Sequence, residues 1–116
     1  RIITISSTSA QMGAPKMAHY VASKGRVTSL TKAIAREFGD RGITANTIPP
    51  SIVETGISAK SEERGTSPGM AVYAEQTLVK RVGIPDDIAA ACSWLCGEHS
   101  GFVTGQEINV NGGWYM

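Results

Sequence analysis

Three residues near the start of the chain carry side chains that together can move a proton to or from an oxygen atom. Tyr20 and Lys24 are four residues apart in a segment with a helical pattern, so we expect their side chains on one face of a helix. Ser7 follows the β-branched run at 1–5 and so comes at the carboxyl end of a predicted strand, where open α/β sheets place their ligands. The sequence predicts that a hydroxyl, a phenol and an ammonium converge on one pocket.

Such a trio suits the reduction of a carbonyl or the oxidation of an alcohol, in which a proton moves as well as a hydride. A free phenol has a pKa near ~10 and is a poor base at neutral pH. An ammonium about 5 Å away contributes ~3 kcal/mol at an effective dielectric of about 20, or roughly two pKa units. A serine hydroxyl can meanwhile hold the reacting oxygen in line. Each residue also has an ordinary explanation. Tyr20 and Lys24 can be part of a solvated helix face, and Ser7 can be a strand-end residue that bonds its own backbone.

The surrounding elements alternate between strands and helices. Runs of β-branched residues predict strands, and apolar residues three or four apart predict helices. Pro85 suits the first position of a helix, with two aspartates following in its first turn. In chain order we expect a strand at 1–5, a helix at 17–39, a strand at 43–48, an exposed polar loop or short helix at 56–67, a helix at 68–80, a helix from Pro85 and a third strand at 107–110. This order predicts an α/β fold with a parallel sheet, although three strands are few for such a sheet.

The first long helix has two distinct stripes. One is apolar and is expected to face the core (Val27, Leu30, Ile34 and Phe38). The other consists of small residues and allows another helix to approach closely (Ala18, Ala22, Gly25, Ser29 and Ala33). The apolar tail at 114–116 is expected to pack either against its own sheet or in a homodimer or homotetramer, and the small-residue stripe supports the second of these.

Composition excludes several classes of protein. Eleven Lys and Arg against ten Asp and Glu, without a basic run, argue against nucleic-acid binding. The longest apolar runs are too short to span a membrane. Cys92 and Cys96 are read as small buried hydrophobes in a reducing compartment, which predicts a cytoplasmic protein. Only His99 lies near them, so no metal site is expected.

Read together, these motifs resemble the C-terminal half of the short-chain dehydrogenase/reductase family. In that family a serine stands thirteen residues before the tyrosine of Tyr-x-x-x-Lys, as Ser7 does here before Tyr20 and Lys24. The pattern Asn-x-x-x-Pro-Gly-x-x-x-Thr is matched by Asn46, Pro50 and Thr55. The stretch YVASKGRVTSLTKAIAREFGDRGITANTI and the ending TGQEINVNGGWYM also follow the family, so the resemblance covers essentially all 116 residues.

The resemblance implies a Rossmann-like, doubly wound parallel sheet, with residues 1–116 as the C-terminal catalytic half of a single domain. It implies NAD or NADP as cofactor and a small alcohol or carbonyl compound as substrate. The loop at 56–80 and the ending are similar to those of 3-oxoacyl-thioester reductases and cyclic-alcohol dehydrogenases. Tyr20 would be the acid/base. The other implied roles are orientation of the substrate by Ser7, contact with the cofactor ribose by Lys24, and contact with the nicotinamide end around Pro50, by the Val53 backbone and by the Thr55 hydroxyl.

The chain departs from the family pattern in two respects. Ser51 stands where the family usually has glycine, a residue often kept where backbone approaches a ligand. The glycine-rich turn that receives the pyrophosphate lies in the half that these residues do not include, so the 116 residues alone are expected to bind dinucleotide poorly. The alternatives are a non-catalytic binding or assembly module on the same scaffold, or an inactive truncated fragment.

Overall fold

Two short parallel strands form the sheet on which the rest of the chain packs. The computed structural model describes residues 1–116. The strands are β1 and β2, paired in parallel from Ile2 opposite Ala45 to Ile5 opposite Ile48. In chain order the elements are β1 (Ile2–Ile5), α1 (Thr8–Met12), α2 (Ala18–Phe38), β2 (Ala45–Ile48), α3 (Gly56–Glu63), α4 (Met70–Gln76) and α5 (Pro85–Cys96), with 3₁₀ turns at Gly39–Arg41 and Glu98–Ser100.

The predicted third strand is present only as single bridges to β2 and to the residues after it. Thr47 pairs with Glu107, through its N–H to the Gln106 carbonyl and through its own carbonyl, which accepts from the Ile108 N–H. The next bond of a parallel ladder would need a backbone N–H at position 49. Proline has none, so Pro49 interrupts the ladder, which resumes only as a single bridge between Pro50 and Val110. The α/β class and the parallel pairing are as predicted, but the ladder is shorter.

The face that α2 turns inward differs from the predicted apolar stripe. Leu30 of that stripe is 56% exposed, whereas Thr31 and Ala35 are buried. The Thr31 hydroxyl donates to the Val27 carbonyl and lies 2.7 Å from the hydroxyl of Thr4 in β1. Small residues that satisfy their own polar groups therefore form the contact between this helix and the sheet. Periodicity located the helix but did not identify its packed face.

The segments before and after α4 limit it to residues 70–76, within the predicted 68–80. Gly69 has a φ of +90°, and a Cβ there would lie 2.9 Å from a carboxylate oxygen of Glu62. The other oxygen of that carboxylate accepts a hydrogen bond from the Met70 N–H at 3.3 Å. At the far end, Thr77 is extended and its hydroxyl donates to the Ala74 carbonyl. Hence α4 is shorter than the apolar pattern suggested.

Asp87 caps the N-terminus of α5, where the sequence places acidic residues. Its carboxylate accepts the Ile84 N–H at 2.8 Å and two guanidinium N–H groups of Arg81 at 2.6 and 2.7 Å. The hydrogen bond from Arg81, followed by that from Ile84, lowers the pKa of Asp87 to about 2. The carboxylate therefore remains ionised well below neutral pH.

None of the helices combines the length and apolar character that crossing a membrane would require.

Asn46 fixes the C-terminal segment to β2. Its side chain is buried, donates to the Val103 carbonyl at 2.8 Å and accepts from the Gln106 N–H at 3.0 Å. Both backbone groups would lose their partner if the amide were removed. The amide thus holds the segment that continues toward Trp114.

We expect Asn46→Ala to lower the free energy of unfolding by about 1–3 kcal/mol, because it removes a buried amide whose two hydrogen bonds hold a carbonyl and an N–H of the C-terminal segment. Urea denaturation of the complete polypeptide measures this change. The matched control is Asn109→Ala, since Asn109 is exposed and accepts a single hydrogen bond from Gln11. The control should stay within about 0.5 kcal/mol of the parent. Equal effects of the two substitutions would contradict the anchoring role of Asn46.

Candidate active site

Ser7 lies just beyond the carboxyl end of β1, as the sequence predicts. It is the N-cap of α1, and its hydroxyl oxygen accepts the Ser9 N–H at 3.2 Å. The side chain is buried at the edge of a cavity. Ser7 therefore does bond to nearby backbone, but this hydrogen bond uses only a lone pair of the hydroxyl oxygen. The hydroxyl proton remains free to donate to a bound oxygen.

Tyr20 and Lys24 lie in the first two turns of α2 and meet in the same place. The ammonium of Lys24 lies 5.9 Å from the centroid of the Tyr20 ring. It also donates to the Ile5 carbonyl at 3.0 Å, which ties the lysine to the last residue of β1. Its other two N–H groups remain available. The strand end and the helix thus set the position of the charge beside the phenol.

Ser6 is a positioning residue that the sequence reasoning missed. Its buried hydroxyl donates to the Lys24 carbonyl at 3.0 Å and accepts from the Thr28 hydroxyl at 2.9 Å. These bonds fix the end of β1 against the second turn of α2. The sequence contains two adjacent serines, but only the second was assigned a role. Successive side chains of a strand point to opposite faces, so this alternation would have placed the Ser6 side chain on the face opposite to that of Ser7.

Two adjoining cavities share Ser7 and Tyr20. The lysine-side cavity has a volume of about 550 Å³ and brings together every site residue expected from the sequence, namely Ser7, Tyr20, Lys24, Pro50, Val53 and Thr55. The tryptophan-side cavity has a volume of about 430 Å³ and extends from the same two residues to Met12, Met17 and Trp114. No charged side chain lines the tryptophan-side cavity. The Trp114 ring packs against Tyr73, with the centroids 5.5 Å apart.

The backbone at Val53 offers a free donor and a free acceptor. Val53 forms a bridge to Gly83, but the bonds of that bridge run from the Glu54 N–H to the Gly83 carbonyl and from the Gly83 N–H to the Ile52 carbonyl. The N–H and carbonyl of Val53 itself have no partner within the chain. An amide-bearing ligand in the lysine-side cavity can therefore use both.

Thr55 begins α3 through a reciprocal capping arrangement with Ser58. Its hydroxyl oxygen accepts the Ser58 N–H at 3.3 Å, and the Ser58 hydroxyl oxygen accepts the Thr55 N–H at 2.7 Å. This capping explains why part of the expected polar loop is helical. The Thr55 hydroxyl proton is not used by the chain and can donate to a ligand.

Ser51 fits its position without strain. Its φ lies outside the left-handed region, so glycine is not required there. The Ser51 hydroxyl donates to the Asn111 carbonyl at 3.1 Å, and the preceding Pro50 carbonyl accepts the Thr8 N–H at 3.0 Å. The serine thus connects the site to the C-terminal segment.

Cys92 and Cys96 lie away from this site, on α5. Cys92 is partly buried, which together with the neighbouring Cys96 raises the pKa of the Cys92 thiol. Cys96 is exposed, so the expectation that both thiols are buried is wrong for this one. The helix packs against the sheet through the buried Leu95, so the next residue, Cys96, points outward. No three His, Cys, Asp or Glu side chains are grouped to hold a metal ion.

Known proteins are similar to this chain in sequence. A family model described as enoyl-(acyl carrier protein) reductase matches residues 1–115. The chain is 37% identical over 117 residues to 3-oxoacyl-(acyl-carrier-protein) reductase FabG of Vibrio cholerae and 34% identical over 116 residues to acetoacetyl-CoA reductase of Cupriavidus necator. Each alignment covers 100% of this chain and 46% of the relative. The chain therefore spans about half the length of the curated relatives that it matches.

Solved structures agree in fold. A short-chain dehydrogenase/reductase of Brucella melitensis (glucose/ribitol dehydrogenase) superposes with a TM-score of 0.88 and 39% identity, over 99% of this chain and 45% of the other. ElxO with NADP bound gives a TM-score of 0.87 and 30% identity, over 97% of this chain and 45% of the other. The Rossmann-like fold expected from the sequence is thereby confirmed, with these residues as part of it. Family model, relatives and structures agree, and the chain belongs to the short-chain dehydrogenase/reductase family.

Proposed function

We propose that residues 1–116 form the catalytic half of an NAD(P)-dependent oxidoreductase that interconverts a carbonyl compound and a secondary alcohol. One observation carries the proposal: Ser7, Tyr20 and Lys24 line a single cavity, with the Lys24 ammonium 5.9 Å from the Tyr20 ring. A scaffold used only for binding or assembly has no need of this trio. The reductase and dehydrogenase names of its relatives agree with an oxidoreductase.

Each side chain has a distinct part in this reaction. The Tyr20 hydroxyl gives a proton to the substrate oxygen during reduction and takes it back during oxidation. The Ser7 hydroxyl donates a hydrogen bond to the same oxygen and holds it beside the phenol. The Lys24 ammonium stabilises the phenolate that remains after the proton has left. A bound nicotinamide supplies or accepts the hydride.

The lysine-side cavity has donors and acceptors that suit the nicotinamide end of a dinucleotide. The free N–H and carbonyl of Val53 and the free proton of Thr55 match the carbonyl and NH₂ groups of a carboxamide. The two uncommitted N–H groups of Lys24 suit ribose hydroxyls. NADP is bound in the related ElxO structure. We leave NAD and NADP as alternatives, because no residue of this chain is expected to contact the part in which they differ.

The substrate is proposed to be a small carbonyl compound of the 3-oxoacyl type. The relatives are named as reductases of 3-oxoacyl and acetoacetyl thioesters. The uncharged tryptophan-side cavity suits an apolar acyl portion next to Ser7 and Tyr20. We further propose a homodimer or homotetramer that uses the largely exposed small-residue stripe of α2, in a reducing cytoplasm that keeps both thiols free.

A steady-state assay of the complete polypeptide tests the proposal. With acetoacetyl-CoA or ethyl acetoacetate as substrate, we expect oxidation of NADH or NADPH that depends on both substrate and enzyme. The absence of turnover with both cofactors, for a folded protein, would contradict the proposal. That result would favour a non-catalytic module on the same scaffold.

A further inference from the structure

Ser67 has a buried hydroxyl that no group of the chain satisfies. It lies between α3 and α4, and its oxygen is shielded from solvent without a hydrogen-bond partner. The residue lines both the lysine-side and the tryptophan-side cavity. A buried hydroxyl without a partner is unfavourable, so such a group at the wall of a cavity indicates a bond that forms when the cavity is filled.

Two other hydroxyls of the tryptophan-side cavity are already committed to the backbone. The Thr8 hydroxyl donates to the Pro50 carbonyl at 3.0 Å. The Ser51 hydroxyl donates to the Asn111 carbonyl at 3.1 Å. Ser67 differs from these because it neither donates nor accepts. Its bonding capacity is therefore available to a ligand.

The loop around Ser67 is held in place before any ligand arrives. Both the N–H and the hydroxyl of Thr66 donate to the Ser61 carbonyl, each at 3.0 Å. Pro68 follows Ser67 and restricts its backbone to extended conformations. The bond from the Met70 N–H to the Glu62 carboxylate closes the other side of the loop. The backbone that carries Ser67 is thus fixed at the cavity wall, and a rotation about its Cα–Cβ bond brings the hydroxyl to a bound oxygen.

We propose that Ser67 binds a second oxygen of the substrate, distinct from the one that reacts at Ser7 and Tyr20. This inference rests on the proposed function and deepens it. The substrate class is a carbonyl compound that carries another hydrogen-bonding oxygen, with an uncharged apolar remainder against Met12, Tyr73 and Trp114. A hydroxyl can donate to a carbonyl oxygen or accept from an alcohol, and the absence of charged residues in the tryptophan-side cavity disfavours a carboxylate there.

The test compares two ketones of equal chain length in the complete polypeptide. Ethyl acetoacetate carries an ester carbonyl besides the ketone, and 2-heptanone carries the ketone alone. We expect Ser67→Ala to lower the ratio of kcat/KM for ethyl acetoacetate to that for 2-heptanone by about tenfold or more. The value for 2-heptanone itself should change less than about threefold, and Ser67→Thr, which keeps the hydroxyl, should restore most of the ratio.

Ser61→Ala is the matched control. Ser61 lines the same two cavities, but its hydroxyl is not among the buried groups without a partner. Its removal should leave the ratio unchanged. If Ser67→Ala does not fold, Ser67→Cys carries the same expectation with a smaller change, because a thiol is a weak hydrogen-bonding group.

Three results would overturn this inference alone. The first is an equal loss of kcat/KM for both ketones in Ser67→Ala, which would indicate a structural role. The second is an unchanged kcat/KM for both ketones in Ser67→Ala, and the third is an equal fall of the ratio in Ser61→Ala. Failure of the parent enzyme to reduce either ketone or acetoacetyl-CoA would instead overturn the proposed function, and the inference with it.

Discussion

Tyr20→Phe in the complete polypeptide is expected to lower kcat for carbonyl reduction about 10²- to 10⁴-fold. The substitution keeps the ring beside Lys24 and removes only the hydroxyl that gives the proton. KM for the substrate should change little, because Ser7 still holds the reacting oxygen. Steady-state kinetics at saturating cofactor measure both quantities. A fall in kcat of less than about tenfold, or about 1.4 kcal/mol in the barrier, would show that Tyr20 is not the acid/base.

Tyr73→Phe is the control for this experiment. Tyr73 lines the same two cavities as Tyr20, and the substitution is chemically identical. Its ring packs on Trp114, and phenylalanine preserves that contact. We expect kcat within about threefold of the parent. A comparable loss in both variants would mean that any phenol in the cavities matters, and the specific role of Tyr20 would be refuted.

Lys24→Met is expected to lower kcat/KM about 10- to 10²-fold and to raise KM for the dinucleotide. The ammonium lies 5.9 Å from the centroid of the Tyr20 ring and stabilises the negative charge that the phenol oxygen carries after the proton has left. The cofactor effect follows from the loss of the two N–H groups that remain after the bond to Ile5. Methionine keeps an unbranched side chain that is shorter by only one atom, so packing changes little.

A double variant separates the two roles of Lys24. If the lysine acts on the chemical step through Tyr20, then Lys24→Met in the Tyr20→Phe background should lower kcat little further, while KM for the dinucleotide still rises. Lys60→Met, at an exposed lysine of α3, should leave both parameters unchanged. Additive losses in kcat for Tyr20 and Lys24 would contradict a shared step.

The elements of the fold were predictable in order but not in extent. The strands at Ile2–Ile5 and Ala45–Ile48 and the long helix between them follow from local periodicity. The third strand was expected at 107–110, yet it pairs only through single bridges because Pro49 cannot donate the next hydrogen bond. Likewise, apolar spacing along α2 did not reveal that Thr31 and Ala35 form its packed face, since that choice depends on the strand that it meets.

The sequence by itself determined the local geometry of the proposed reacting groups. Residues four apart on a helix lie together whatever surrounds them, and a serine just after a strand comes at the edge of a parallel sheet. The tertiary structure alone decided how the rest of the site is held. The Ser6 bonds between β1 and α2, the free backbone of Val53 and the unpartnered hydroxyl of Ser67 depend on segments far apart in the chain. Such contacts arise only when packing brings those segments together, so no local pattern records them.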